Sequence, residues 1–276
     1  MFARGSVPAG NSRGSLPISP SRRADDADLH LLFVAGKRPD LPALRRFAAT
    51  LAGLSISHAP ASDRGIAEEP AWPGQPLWIE LLSDGLSFDL SGLAPGPSCP
   101  FPVIEHRFDL SGLPGPASHE VLTLRPGPHL APGGASMPVM RALLALGCHM
   151  VRQFEALEAL AWGPARSAIG RRFFESVTAA WLDGGPFPAL GLTSFVASID
   201  GALETIGLDF WIGQELRIEP PLATDRVAAT RLGVRLVNHL VLIGGLAEEE
   251  RITAPDGTRL LLRPARQRGR ISVWRE

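Results

Sequence analysis

The chain is poor in the residue types that most often mark a redox, zinc or membrane protein. It has 2 cysteines among 276 residues and no tyrosine. Lys37 is its single lysine. Cys99 and Cys148 are too few and too far apart for a disulfide framework or a zinc site, so we expect free thiols in a reducing compartment. No run reaches the roughly 18 uncharged apolar residues of a membrane span.

The sequence motifs of common enzyme classes are also missing. There is no G-x-S-x-G elbow between a strand and a helix, no HExxH or CxxC motif, and no Walker or Rossmann glycine pattern. This argues against common hydrolases, zinc proteases, NTPases and dinucleotide enzymes. The net charge of −1 argues against a surface for nucleic acid or anionic lipid, which needs a basic excess. We therefore expect no metal, cofactor, nucleic-acid partner or membrane partner.

Composition divides the chain into a tail and two halves. Residues 1–27 are rich in Ser, Pro, Gly and Arg and lack the apolar run of a secretory signal, which predicts a disordered tail. The many arginines and alanines are typical of a bacterial protein, and we expect a cytoplasmic location. Residues 28–118 and 119–276 form two predicted α+β halves, or together one continuous domain.

Apolar periodicity predicts many short strands and a few helices. The predicted helices lie at 38–53, 137–157, 171–182 and 224–245. The predicted strands lie at 29–35, 54–57, 77–82, 86–90, 103–110, 119–126, 160–162, 190–198, 203–208 and 214–221, with a closing meander. This order indicates an α+β fold with a mostly antiparallel sheet and helices on one face, and it also fits two ferredoxin-like halves. Apolar residues on more than one face of 224–245 predict burial between layers.

A short internal repeat, FDLSGL, occurs at 88–93 and again at 108–113. We interpret each copy as the end of a half-buried strand, with its phenylalanine inward and Asp89 or Asp109 outward. The alternative is a carboxylate pair that binds a cation or shares a proton. Two carboxylates are too few for a calcium site, so we favour the structural interpretation.

The C-terminal half resembles a known bacterial family. The strings AWGPARSAIGRRFFES and ETIGLDFWIGQELRIEP, followed by a long apolar helix and a PDG turn, are similar to the uncharacterised domain-of-unknown-function family 4261. The features that carry the resemblance are Trp162, Pro164, Ala165, Phe173, Thr205, Gly207, Leu208 and Glu215. It covers 119–276, leaves the N-terminal half unmatched, and implies no activity.

Two segments are candidates for a site. Loop 125–134 leads into a predicted helix whose free N–H groups favour an anion, and Arg125 and His129 could join them. The alternative is an ordinary strand-to-helix connection. The second segment, 205–215, has Asp209, Trp211, Gln214 and Glu215 beside turn-forming glycines; it indicates either a pocket lining or a core plug.

The second candidate segment is predicted to meet the other family-like string. Strand exits at one edge of a sheet tend to share a surface, so 162–166 and 207–215 should lie close together. Trp162 would then join the site, and Arg166 would pair with Glu215 or Asp209. By contrast, Cys148 and its neighbour His149 are predicted to pack, and His239 to be a hydrogen-bonded structural histidine.

Two functional hypotheses follow. The first is a non-catalytic binding or protein-interaction module, whose partner is an unidentified protein or a small ligand. The alternative is an enzyme, a hydrolase or transferase, with a pocket formed by 125–134 and 205–215. It requires His129 to meet Glu215 or Asp209 within hydrogen-bonding reach. The missing catalytic motifs favour the binding module, and no catalytic residue is assigned.

Overall fold

The computed structural model describes residues 27–59, 76–265 and 269–276. The expected disorder of 1–27 concerns residues outside this range, apart from Ala27, which is fully buried. The described chain folds into helices and two mostly antiparallel sheets, which confirms the predicted α+β class.

Eight strands form the first sheet in the order β2-β3-β4-β6-β1-β7-β8-β5. Neighbours are antiparallel except β5 and β8. The strands are β1 (Leu29–Val34), β2 (Leu54–His58), β3 (Leu77–Ser83), β4 (Leu86–Leu93), β5 (His106–Phe108), β6 (His119–Pro126), β7 (Leu157–Trp162) and β8 (Ser167–Gly170).

Two helices connect parallel, non-adjacent strands of this sheet. Helix α1 (Leu41–Ala49) joins β1 to β2, and α2 (Met137–Gln153) joins β6 to β7. Asp40 fixes the start of α1, because its side chain accepts a hydrogen bond from the backbone N–H of Ala43 at 2.8 Å. The second unit is a split βαβ with β1 between its two strands, whereas β3, β4 and β6 lie between the two strands of the first unit.

The two faces of the first sheet are covered differently. Leu29, Leu31 and Phe33 of β1 belong to the main core, together with the apolar sides of α1 and α2. The alternate residues point to the other face, which we call the outer face. There Leu32 packs against a smaller apolar cluster that includes Cys99 from the connection after β4. The predicted placement of helices on one face therefore holds for this sheet.

Six strands form the second sheet in the order β12-β13-β14-β11-β10-β9. They are β9 (Ser194–Ala197), β10 (Leu203–Ile206), β11 (Glu215–Ile218), β12 (Glu250–Thr253), β13 (Arg259–Pro264) and β14 (Arg270–Arg275), and the remaining helices are α3 (Arg171–Leu182), α4 (Ala189–Leu192), α5 (Leu208–Ile212) and α6 (Arg226–Ile243). Two meanders, β9–β11 and β12–β14, meet where β11 and β14 pair in parallel.

The second sheet departs from the two-halves expectation. A ferredoxin-like half needs two helical crossovers, whereas its two meanders are connected by α6 alone. The strands also change sheet after Gly170, while the sequence placed a boundary at 118/119. Strands β6, β7 and β8 pair with the N-terminal strands instead.

Helix α6 is a surface helix, so the prediction that it is buried between layers is wrong. Its start is capped by Asp225, whose carboxylate accepts from the backbone N–H of Val227 and of Ala228. One side is buried, including Leu236 and Leu240. On the other side Leu242 is 85% exposed. The helix packs on one side of the second sheet, and no layer of the described chain covers its outer side.

The two FDLSGL copies adopt different structures. The first lies within β4, where Phe88 is fully buried. The second leaves its strand after Phe108, because Asp109 has a left-handed backbone with φ of +54°. Phe108 and Leu110 are only partly buried, contrary to expectation. Four strands separate β4 from β5 in the sheet, so Asp89 and Asp109 form no carboxylate pair.

Candidate functional site

The segments 162–166 and 207–215 lie together, which confirms the predicted proximity. The backbone of Gly207 approaches Ala165 so closely that a Cβ atom at Gly207 would lie 2.8 Å from the Ala165 nitrogen. The Trp162 ring packs edge-on against Phe210, with centroids 5.2 Å apart, and at 5.7 Å from Trp211. This aromatic cluster belongs to the core, and Trp162 is fully buried.

Glu215 is bound entirely by neighbouring groups of its own chain. Its carboxylate accepts from the hydroxyl of Thr205 at 2.5 Å and from the backbone N–H of Gly207 at 2.7 Å. The backbone N–H groups of Leu208 and Asp209 also donate to this carboxylate, each at 3.3 Å. Burial raises the pKa of Glu215 to about 7. The hydrogen bond from Thr205 lowers this pKa, and the nearby Asp209 raises it further. Glu215 therefore braces the turn before α5 and leaves little room for a ligand.

The remaining family-like residues also have structural partners. Arg166 pairs with Glu105 at 2.9 Å, so the expected pair with Glu215 or Asp209 is not formed. The backbone explains this choice of partner. The Arg166 carbonyl accepts hydrogen bonds from the backbone N–H groups of Glu105 and His106, which hold Arg166 beside the start of β5. The amide of Gln214 holds Leu246 after α6, donating at 2.9 Å and accepting at 2.8 Å.

Loop 125–134 lies apart from this cluster. Leu29 pairs with both Leu124 and Trp162, so these three side chains share the core face. Arg125 follows Leu124 and therefore points to the outer face, where it pairs with Asp28 at 2.8 Å. His129 is exposed on the short 3-10 turn Pro128–Gly133. The thickness of the sheet thus separates Arg125 from Trp162 and its aromatic partners.

Arg125 instead borders a polar cavity on the outer face, which we call the sheet pocket. Its volume is about 390 Å³. The lining residues come from the outer face and the surrounding connections: Asp28, His30, Pro76, Ser91, Cys99, Pro100, Thr123 and Arg125. Sequence reasoning singled out only Arg125. The available signal was strand alternation, since His30, Ser91 and Thr123 are polar residues at the outward positions of their strands.

Three polar side chains of the sheet pocket form a row across adjacent strands. Ser91 of β4 is in register with Thr123 of β6, and Thr123 with His30 of β1. His30 Nδ1 lies 3.1 Å from Thr123 Oγ1. Ser91 lines the pocket, and its hydroxyl has no hydrogen-bond partner among the described residues.

Burial sets the charge of this row. Burial, and then the charge of Arg125, lower the pKa of His30 to about 4, so its imidazole is neutral at physiological pH. Arg125 and Asp28 carry opposite charges and pair at 2.8 Å, so the charges of the described lining residues sum to zero. A neutral His30 next to Thr123 has the layout of a base and a hydroxyl nucleophile. A base with so low a pKa is poorly matched to proton abstraction near neutral pH.

Two carboxylates extend the polar surface beyond the pocket. Asp89 lies in register with Glu80 on one side and with Arg125 on the other. One oxygen of Asp89 is buried and has no hydrogen-bond partner in the described structure. Burial and the negative charge of Glu80 raise the pKa of Asp89. Asp89 is therefore half-buried, whereas the sequence predicted an outward carboxylate in solvent.

Other concave regions and clusters offer simpler chemistry. A cavity of about 430 Å³ between α1 and β3 has a mostly apolar lining that includes Leu41, Leu77 and Leu93. A shallow groove of about 560 Å³ runs along α6. Among the described residues, no group of three or more His, Cys, Asp or Glu side chains could hold a metal ion. The sheet pocket is thus the best candidate site.

Comparison with known proteins adds no relative to these observations. The chain matches no protein-family model, no curated protein and no solved structure. The resemblance of 119–276 to the uncharacterised family 4261 stays a prediction. No helix in the described ranges is both long enough and apolar enough to cross a membrane.

Proposed function

We propose that the protein is a non-catalytic binding module that holds a small, uncharged polar molecule in the sheet pocket. The observation that carries this proposal is the charge balance of the described lining residues, since Asp28 and Arg125 have opposite charges and His30 is neutral. An anionic ligand would meet Asp28, and a cationic ligand would meet Arg125. An uncharged ligand avoids both repulsions and can use the hydroxyl groups of Ser91 and Thr123.

The size and composition of the pocket support a small ligand rather than a protein partner. Its volume of about 390 Å³ lies within the usual range for ligand sites, about 300–1,000 Å³. Prolines at 76 and 100 supply apolar walls, and a few convergent polar groups supply orientation, which is the usual composition of such sites.

Catalysis is disfavoured by the acid–base properties of the row. The histidine–hydroxyl pair of the sheet pocket is His30 and Thr123, and the low pKa of His30 makes it a weak base. The alternative enzyme needed His129 to meet Glu215 or Asp209, but the Glu215 carboxylate accepts hydrogen bonds from the backbone N–H groups of Gly207 and Asp209 instead. We place the module in the bacterial cytoplasm, where the buried free thiols of Cys99 and Cys148 stay reduced.

A ligand screen tests the proposal. The full chain is mixed with neutral polar, anionic and cationic small molecules, and the melting temperature is measured with and without each compound. We expect neutral polar compounds to raise the melting temperature, because a ligand at about 100 times its Kd stabilises the folded state by about 2.7 kcal/mol.

The matched pair of variants is Ser91→Ala and Ser111→Ala. Ser91 lines the pocket, whereas Ser111 is exposed on the connection after β5. Ser91→Ala should weaken ligand binding and leave the melting temperature of the free protein unchanged, while Ser111→Ala should change neither. A clear preference for charged compounds, or recovery of a chemically altered ligand, would contradict the proposal.

A further inference from the structure

The shallow groove along α6, which we call the helix groove, has a volume of about 560 Å³. Leu190 of α4 forms one part of its lining, and a face of α6 forms the rest with Arg226, Val227, Thr230, Arg231, Val234 and Arg235. Counted from Val227, the last four of these residues stand at i+3, i+4, i+7 and i+8, the spacing of side chains on one helix face. The groove therefore has a continuous stripe of α6 as its main wall.

This stripe carries positive charge. The charged residues that line the helix groove are three arginines. Arg226 donates a hydrogen bond to the backbone carbonyl of Ala202 at 2.9 Å. Arg231 and Arg235 are exposed, and neither pairs with a carboxylate of the described residues. The groove thus presents two guanidinium groups that can bind the carboxylates of a partner.

Apolar side chains lie between these arginines. Val227 is 61% exposed, and Val234 and Leu190 are partly buried. The two valines are seven residues apart, which places them about 10 Å apart along the helix axis. Contact with a partner would remove this apolar surface from water, so the groove offers apolar burial and charge attraction together.

We propose that the helix groove binds an acidic amphipathic helix of another protein, whose apolar side chains cover Val227 and Val234 and whose carboxylates pair with Arg231 and Arg235. The two arginines are four residues apart, or about 6 Å along α6. Acidic residues at i and i+4 of a partner helix have the same separation. Docking of an amphipathic helix in a groove is a recurring mode of peptide recognition. The helix groove shares no lining residue with the sheet pocket, so this inference goes beyond the proposed function.

Two other occupants match the helix groove less well. In a symmetric contact with a second copy of the chain, the stripe would face itself, and its arginines would repel each other. An anionic membrane would attract the arginines, but helices that lie on membranes insert large apolar residues such as Trp, Phe and Leu. The apolar residues that α6 contributes to the groove are valines. Both occupants are included in the experiment.

The experiment measures binding of the full chain to a fluorescein-labelled peptide by fluorescence anisotropy. The probe has 18 residues, the length of α6, with leucine along one helix face, glutamate beside it at i, i+4 spacing, and alanine elsewhere. One control peptide has the same composition in scrambled order, and a second has lysine in place of glutamate. We expect the acidic amphipathic probe alone to bind, and its affinity to fall as salt is added.

Two variants test the two attractions separately. Arg231→Glu should weaken binding of the probe about tenfold, because it replaces an attraction with a repulsion. Val227→Ser should weaken binding several-fold, because it removes exposed apolar surface. The matched controls are Arg172→Glu, at an exposed position of α3, and Val103→Ser, at a position that is 69% exposed before β5. Both controls lie outside the groove lining and should keep the affinity within about twofold of the wild type.

Several results would overturn the proposal. Equal losses of affinity in Arg231→Glu and Arg172→Glu would mean attraction by overall charge, and equally tight binding of the scrambled peptide would mean that no apolar face is recognised. Failure of the probe to bind overturns the proposal as well. In that case, binding to vesicles of phosphatidylcholine and phosphatidylserine would identify a membrane, and a dimer in sedimentation velocity that Arg231→Glu alters would identify a second copy. Ser91→Ala, in the sheet pocket, should leave the affinity for the probe unchanged, so the two proposals are tested independently.

Discussion

Replacing Glu215 with glutamine measures how strongly the turn before α5 depends on one carboxylate. The Glu215 carboxylate accepts one hydroxyl hydrogen bond, from Thr205, and three backbone N–H groups. The glutamine side chain has the same shape, but an NH₂ group replaces one of the two carboxylate oxygens and faces these donors. Leaving donors unpaired in a buried site should lower the free energy of unfolding by about 1–3 kcal/mol.

The cost of this substitution should depend on pH. Burial raises the pKa of Glu215 from 4.5 to about 7. The folded protein therefore binds this proton more tightly than the unfolded chain does, and the wild type loses stability as the pH rises through this interval. Glutamine does not titrate. Glu215→Gln should consequently cost most at pH 5 and less at pH 8.

Urea unfolding followed by tryptophan fluorescence at several pH values between 5 and 8 measures both effects. Glu105→Gln is the control, because Glu105 forms an exposed pair with Arg166. Exposed pairs contribute little, so this variant should cost less than about 1 kcal/mol and vary little with pH. The stabilising role of Glu215 would be refuted if Glu215→Gln lost no more unfolding free energy than the control, or if its loss grew as the pH rises.

Three further predictions concern stability and are tested by the same unfolding assay. Phe88→Ala should lower the free energy of unfolding by about 3–5 kcal/mol, because the ring is fully buried. Phe108→Ala should cost about half as much, because Phe108 is only partly buried. Equal costs would mean that the two repeats have equivalent environments. Gly207→Ala, with φ of +89° and backbone within 3 Å, should cost more than Gly36→Ala, whose φ is +73° but which has open space around it. Arg217→Ala should cost about 3 kcal/mol, since Arg217 pairs with three carboxylates, one of them largely buried; a loss below about 0.5 kcal/mol would show that water replaces the arginine.

Local structure could be predicted well because its causes are adjacent in the chain. Strand β1 and helices α1 and α3 follow from apolar periodicity, and Asp40 caps α1 through a bond to the third residue after it. The α+β class follows from the order of these elements. The brace around Glu215 was foreseen in part, since its glycines and aromatic residues lie within one short segment.

Features that depend on which elements meet could not be predicted in this way. The two FDLSGL copies have the same letters, yet β4 lies between two strands and β5 lies at a sheet edge. Helix α6 has apolar residues on several faces, and only the packing of the second sheet decides which side is covered. Arg166 pairs with Glu105 because β5 returns beside β8, a contact between residues 61 positions apart.

The sheet pocket combines both kinds of information. The sequence by itself determined that His30 and Thr123 point away from the apolar side of their strands, because side chains alternate along a strand. Only the tertiary structure decided that these residues, 93 positions apart, are neighbours. Strand order and register are fixed by the packing of helices and connections on the sheet, so the pocket exists only once the chain has folded.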